Sequence, residues 1–271
     1  MTRADFTTLI AAIEFVLPWT RGHLLWARAV LEGWNISGPV NHALPLPDAL
    51  MIVFVAAWWL AGFRRIAKGL WLQKRLGLRP NELLNLEAAD IFLPEDVPGG
   101  HYSHGVLNLG ARTGTKMKRA QASLLKPHST ELAFARDLRK GLQAKDKVFG
   151  STQYPQYSRL LDRTCGYFRV LPYKAHSPRA GCATDSWLAG IDFVSIREQL
   201  RHQNDRSLRV YLDTVSAYAA LTRSDGARWG ELAAALEPAF ARAAQSGDLE
   251  VPPSRAGHLL KSIAGELAKS R

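Results

Sequence analysis

Four groups of residues along this chain combine types that could do chemistry together. The first is Gly77-Leu-Arg-Pro-Asn-Glu-Leu83, where Arg79 stands at the start of a short segment whose apolar side is Leu83, Leu84 and Leu86. The second is the turn from Arg112 to Arg119, which carries Lys116 and Lys118. The third is His176-Ser-Pro-Arg179, opening the segment Arg179-Ala-Gly-Cys-Ala-Thr184. The fourth is Leu200-Arg-His202, followed nine residues later by Tyr211. Arginine offers a planar, permanently charged fork that grips anionic oxygens in pairs. Histidine exchanges protons near neutral pH, and a tyrosine oxygen can form a covalent intermediate. Together these types suit an anionic substrate.

The charge distribution points the same way. The chain has 271 residues with 35 Lys+Arg against 24 Asp+Glu, a formal net charge of +11. Residues 1–100 carry 9 basic and 9 acidic side chains, and residues 212–271 carry 7 and 7. Residues 101–211 carry 19 and 8, so the whole surplus of eleven lies there. A basic middle with neutral flanks implies a polyanion-binding surface; the bland alternative is a protein that is simply basic. A composition 47% hydrophobic and 22% charged excludes wholesale disorder. Two cysteines, Cys165 and Cys182, cannot make a disulfide framework, which favours a reducing compartment.

Several other routes fall away. Gly110-Ala-Arg-Thr-Gly-Thr-Lys116 is one residue short of a phosphate-binding loop and lies in a hairpin turn, without the strand before and helix after that such a loop requires. His101 and His104 have no further Cys/His cluster to complete a site, so no metal is expected. No CxxC, GxSxG or HExxH is present. The most apolar run, Ala49–Phe63, is fifteen residues long, and a membrane-spanning helix needs about 20. It reads as a buried helix. The N-terminus lacks a signal-peptide cleavage pattern, so neither export nor a membrane span is expected.

The elements that must position these residues are mostly helical. Residues 5–33 read as two short helices broken at Pro18-Trp19, and Asn35–Pro47 as a linker. The apolar run is one helix, Arg64–Leu76 another with Gly77 as its stop, and Pro80 opens a short third. Gly105–Leu109 and Ala120–Leu125 read as a hairpin around the basic turn. From Ser129 the pattern is helical with breaks near Gly150, Pro172 and Gly190, and Pro252-Pro253 separates two amphipathic helices in the tail. His176 and Arg179 share a face at a helix start. His202 and Tyr211 would point opposite ways on one helix, so a turn at Gln203–Arg206, with Asn204 or Asp205 capping a new helix, is required between them.

The order of these residues, over about 40–220, resembles the tyrosine recombinase (phage integrase) catalytic domain. The resemblance implies an α+β fold, mainly α-helical with one small antiparallel β-sheet. It divides the chain into N-terminal helices (1–39), a catalytic domain (40–220) and C-terminal amphipathic helices (221–271). It places the catalytic set on Arg79, Lys116, His176, Arg179, His202 and Tyr211, with Lys118 as the alternative general acid and Tyr218 as a weaker nucleophile. The implied activity is metal-independent DNA strand cleavage and rejoining through a 3′-phosphotyrosyl intermediate, without a cofactor, in site-specific recombination or integration by a mobile-element protein. Double-stranded DNA is the implied partner and a homo-tetramer on DNA the implied assembly. The implied location is intracellular with DNA, in the nucleus of a eukaryote or the cytoplasm and nucleoid of a bacterium. The remaining cations Lys118, Arg119, Lys126, Arg201, Arg206 and Arg209 are assigned to the duplex backbone. Alternatives are a non-catalytic DNA-binding protein of the same fold and a type IB topoisomerase-like activity. Three positions depart from the family pattern: Ala180 where histidine is frequent, Pro178 in place of leucine, and Arg201 where glycine is usual. Glu82 reads as a helix cap or support for Arg79, and Cys182 as a small core residue.

Overall fold

The computed structural model describes residues 2–37, 43–99, 102–110, 121–201, 208 and 228–269. The chain forms two compact units, 1–42 and 43–271. In the first, α1 (Arg3–Val16) starts at Thr2, whose hydroxyl accepts from the Asp5 amide at 3.2 Å while the Asp5 carboxylate accepts from the Thr2 amide at 2.7 Å. Pro18 ends the helix through a 3-10 turn, and α2 (Leu25–Ser37) returns, with Phe6 edge-on to Trp34 at 5.5 Å.

The second unit is built around α3 (Asp48–Leu60), whose residues Leu50–Trp59 are all buried. A helix apolar on every side must be covered on every side. Packed around it are α4 (Arg64–Leu76), α6 (Thr130–Arg139), α7 (Tyr154–Phe168), α8 (Ser177–Leu188), α10 (residues 228–246) and α11 (Arg255–Lys269). Trp59 of α3, Trp71 of α4, Phe134 of α6 and Phe240 of α10 form one aromatic cluster with ring centroids 5.1–6.1 Å apart. Two indole N–H groups of α3 are satisfied across the core, Trp58 by the Thr164 hydroxyl at 2.7 Å and Trp59 by the Gly247 carbonyl at 3.0 Å.

Between α4 and α6 lie α5 (Pro80–Leu84) and an antiparallel sheet of order β1-β2-β3. The hairpin is β2 (Gly105–Asn108) with β3 (Ala122–Leu125), paired Gly105 to Leu125 and Asn108 to Ala122. A two-residue strand, β1 (Ile91–Phe92), adds a third member that has too few residues to show an alternating pattern in the sequence. The expected α+β class with one small antiparallel sheet is what the chain adopts. Among the described residues, no helix is long and apolar enough to cross a membrane.

The tail belongs to the second unit. The segment after 221 contributes α10 and α11 to the same unit as α3, since Trp229, Leu236 and Phe240 and then Leu260, Ile263 and Leu267 enter the common core.

Candidate active site

The site starts at the end of α4. Its last residues are followed by Gly77 in a left-handed conformation (φ 61°), and the Leu78 amide turns back to the Gln73 carbonyl at 3.0 Å. Glycine is required here twice, because a Cβ would also sit 2.2 Å from Leu200 Cδ2. The turn presents the Gly77 carbonyl to two guanidinium groups. Arg179 donates to it through Nη1 at 2.5 Å and Arg201 through Nη2 at 3.2 Å.

Arg79 follows at the N-cap of α5, with Pro80 at the first helical position. Glu82, one turn in, folds back on it. Its Oε2 accepts from the Arg79 amide at 2.7 Å, and its Oε1 accepts from Arg79 Nη1 at 2.5 Å. Arg201 Nη2 reaches the same carboxylate at 2.9 Å, so one acid serves two arginines. Burial works to raise the Glu82 carboxyl, but the charge of Arg201 and the amide and guanidinium of Arg79 outweigh it and hold the group below 4.5.

The third side is the start of α8. Gln73, fully buried, donates to the Ala175 carbonyl at 2.8 Å and accepts from the Tyr157 hydroxyl at 2.5 Å, which fixes the segment leading into α8. Gly181 lies against the Leu46 carbonyl, where a Cβ would come within 2.2 Å, and the Leu46 amide donates to the Ser177 carbonyl at 3.0 Å. Buried Lys74 pairs with Asp185 on the same helix. The helix so held places His176 at its N-cap and Arg179 in its first turn. Arg179 is 3% exposed and binds both the Gly77 and Leu200 carbonyls. His176 keeps a solvent-facing side. The desolvation of the remainder, with the positive charges of Arg179 and Arg79, holds its imidazole below 6.5, so it is neutral at physiological pH.

The structure therefore brings together Arg79, His176 and Arg179, with Glu82 supporting Arg79 as its position implied. Arg201, grouped from sequence with the backbone-contacting cations, differs from that expectation. Its side chain is 7% exposed and is bound to Gly77, Glu82, the Gln199 carbonyl at 3.1 Å and Ser123 Oγ at 2.8 Å. Burial pushes its guanidinium below the ordinary arginine value, countered by Glu82. Lys126 is exposed just after β3. Lys116, Lys118, Arg119, His202, Arg206, Arg209 and Tyr211 lie outside the described residues, as do His101, Tyr218 and the expected turn at 203–206. Leu208 is helical and fully buried in a cluster with Cys182, Ala183, Ile196 and Leu200.

Lys74, Gln73 and Ser123 were not visible as site residues. A lysine or glutamine on an amphipathic helix reads as solvated, and nothing local marks it as buried. Arg201 carried one signal, a bulky residue where the resembling family has glycine. A cavity of about 360 Å³ between α6 and α10, lined by Glu95, Arg136, Arg139 and Gln245 among others, is separate from this site. Among the described residues no group of three or more His, Cys, Asp or Glu is placed to hold a metal ion.

No family model matches the chain, and no curated protein matches it. Among solved structures it is similar to the XerH site-specific recombinase bound to its difH substrate in a pre-cleavage complex. That likeness has 19% identity and a TM-score of 0.44 over 64% of this chain and 52% of that one, so this chain spans about half the length of XerH. It is also similar to the XerA recombinase, at 17% identity and a TM-score of 0.48 over 81% of this chain and 83% of that one.

Proposed function

We propose that this protein cleaves and rejoins DNA strands as a tyrosine recombinase does, in site-specific recombination or integration. The observation that carries this reading is the convergence of Arg79, His176 and Arg179 around the Gly77 turn. Arginines supply positive charge where a phosphodiester gains negative charge under attack, and a pre-arranged set acts without reorganising at that moment. Neutral His176 serves as a hydrogen-bonding partner of a non-bridging oxygen. Glu82 holds Arg79 from behind.

In this reading Tyr211 Oη bonds to phosphorus as its proton is lost, with His202 alongside. The 5′ oxygen leaves and takes a proton from Lys116 or Lys118. The product is a 3′-phosphotyrosyl link and a free 5′ hydroxyl, and reversal rejoins the strand. Arg119, Lys126, Arg206 and Arg209 hold the duplex backbone without reading sequence, and copies of the chain assemble on paired sites as a tetramer.

A nicked suicide duplex incubated with the protein in EDTA tests the reading. A covalent protein–DNA adduct is expected for the wild type and none for Tyr211→Phe. No wild-type adduct, or an adduct that survives in Tyr211→Phe, ends it. Relaxation of supercoiled DNA without a defined site would assign the chemistry to a topoisomerase-like activity instead. One observation favours a second reading: Arg179 is bound to main-chain carbonyls, a use that maintains the fold without chemistry. A non-catalytic duplex-binding protein of this fold shows salt-steep affinity and no adduct.

A further inference from the structure

The least expected residue of the site is Arg201. It adopts a left-handed backbone (φ 55°) just after α9 (Phe193–Gln199), with its amide bonded to the Glu198 carbonyl at 2.9 Å. A side chain is strained there, and glycine is the residue that fits without cost. The other described non-glycine residues with positive φ, His128 and Arg169, are exposed. Arg201 alone of the three sends its side chain inward. Its guanidinium meets Glu82, Gly77, Gln199 and Ser123, while its own carbonyl accepts from Arg79 Nη2 at 3.5 Å.

Resting on the recombinase reading above, we propose that Arg201 is a positioning residue for Arg79. It acts through both ends. Its carbonyl stops one arm of the Arg79 fork, and its guanidinium draws on the Glu82 carboxylate so that the acid is shared. With Arg201 absent, Glu82 is free to pair with Arg79 alone and to neutralise the charge meant for the phosphate. The bond to Ser123, on β3, extends the same link to the base of the hairpin whose turn carries Lys116 and Lys118.

The test compares Arg201→Gly, Arg201→Lys and Ser123→Ala, with Arg169→Gly as a control for relief of backbone strain away from the site. Single-turnover adduct formation is expected to fall at least tenfold in Arg201→Gly while duplex affinity stays within twofold of wild type. Arg201→Lys is expected to recover part of the rate, and Arg169→Gly to match wild type. A second readout does not depend on cleavage. In protein labelled with ¹⁵N-arginine, the Arg79 guanidinium signals, assigned with Arg79→Lys, are resolved when the fork is held and merge when it rotates freely. They are expected to merge in Arg201→Gly. Arg79 signals unchanged in Arg201→Gly, or a cleavage rate within twofold of wild type, overturn the proposal. If Arg201→Gly does not fold, Arg201→Lys and Ser123→Ala decide by the same two criteria. Should wild type form no adduct, the recombinase reading fails, and the Arg79 signals still decide whether Arg201 positions it.

Discussion

Arg179 Nη1 and the Gly77 carbonyl oxygen lie 2.5 Å apart, joining the first turn of α8 to the left-handed stop of α4. Because the acceptor belongs to the backbone, the geometry of the arginine depends on a turn that only glycine makes easily. A helix stop in the sequence is therefore also part of the site.

Gly77→Ala should cost more than its backbone conformation alone explains. The left-handed φ carries a penalty of about 1 kcal/mol for alanine, and the new methyl would meet Leu200 Cδ2 at 2.2 Å. Gly190, also left-handed (φ 78°) but with open space around it, isolates the backbone part. Thermal unfolding should show a loss for Gly77→Ala at least twice that for Gly190→Ala, with adduct formation impaired only in the former. Equal losses would show that Leu200 yields easily.

Arg79→Ala and Arg179→Ala should separate chemistry from folding. The Arg79 side chain is one-third exposed (33%), so its removal should leave the melting temperature nearly unchanged. Adduct formation should fall by about two to three orders of magnitude, the usual loss for a donor at a developing charge. Arg179→Ala strands the Leu200 carbonyl in the interior, at roughly 1–3 kcal/mol, and leaves the Gly77 carbonyl to Arg201 alone. It should lower both stability and activity, and a melting curve beside a cleavage assay distinguishes the two variants.

Glu82→Gln should destabilise the protein by roughly 3 kcal/mol at neutral pH, because it leaves the buried Arg201 guanidinium without its counter-charge. The Glu82 carboxyl titrates below its ordinary 4.5 in the folded chain, so its stabilisation is complete above that pH and declines as pH falls through the folded value. The gap between wild type and Glu82→Gln in thermal melts should be widest near neutrality and close progressively below pH 4.5. A gap independent of pH would mean that the charge is not what stabilises.

His176 titrates below 6.5 in the folded chain, so the unfolded chain binds its proton first on acidification. The stability this residue contributes is present above pH 6.5 and is lost as pH drops through its folded value. His176→Asn should remove that part of the pH dependence between neutrality and acid. Wild type and variant melts that run parallel across this range would contradict the desolvated, cation-flanked ring described above.

The legibility of this protein in its sequence follows physical lines. Gly77, Pro80, Ser129 and Pro252-Pro253 act locally, through backbone conformation or a missing amide, and the helix limits they imply are found. The apolar run of α3 announces its own burial. What a local pattern cannot show is partnership across the chain. Lys74 pairs with Asp185 from 111 positions away, Gln73 with Ala175 from 102, and Arg201 with Glu82 from 119. Each looks like an ordinary surface polar residue until the helices meet. Arg79, His176 and Arg179 were singled out because residue type, order and spacing constrain one another, and they lie near one another in the fold.

The way α3 is enclosed bears on how the chain comes to fold. Trp59 bonds to the Gly247 carbonyl, 188 positions downstream, and α11 closes over the same helix. During synthesis the most apolar segment emerges well before α10 and α11, which cover it. Contacts of such long sequence separation form slowly, and the uncovered surface invites association with other chains in the interval. The nascent protein should therefore depend on chaperones until α11 leaves the ribosome, and refolding from denaturant should be slow and best at high dilution.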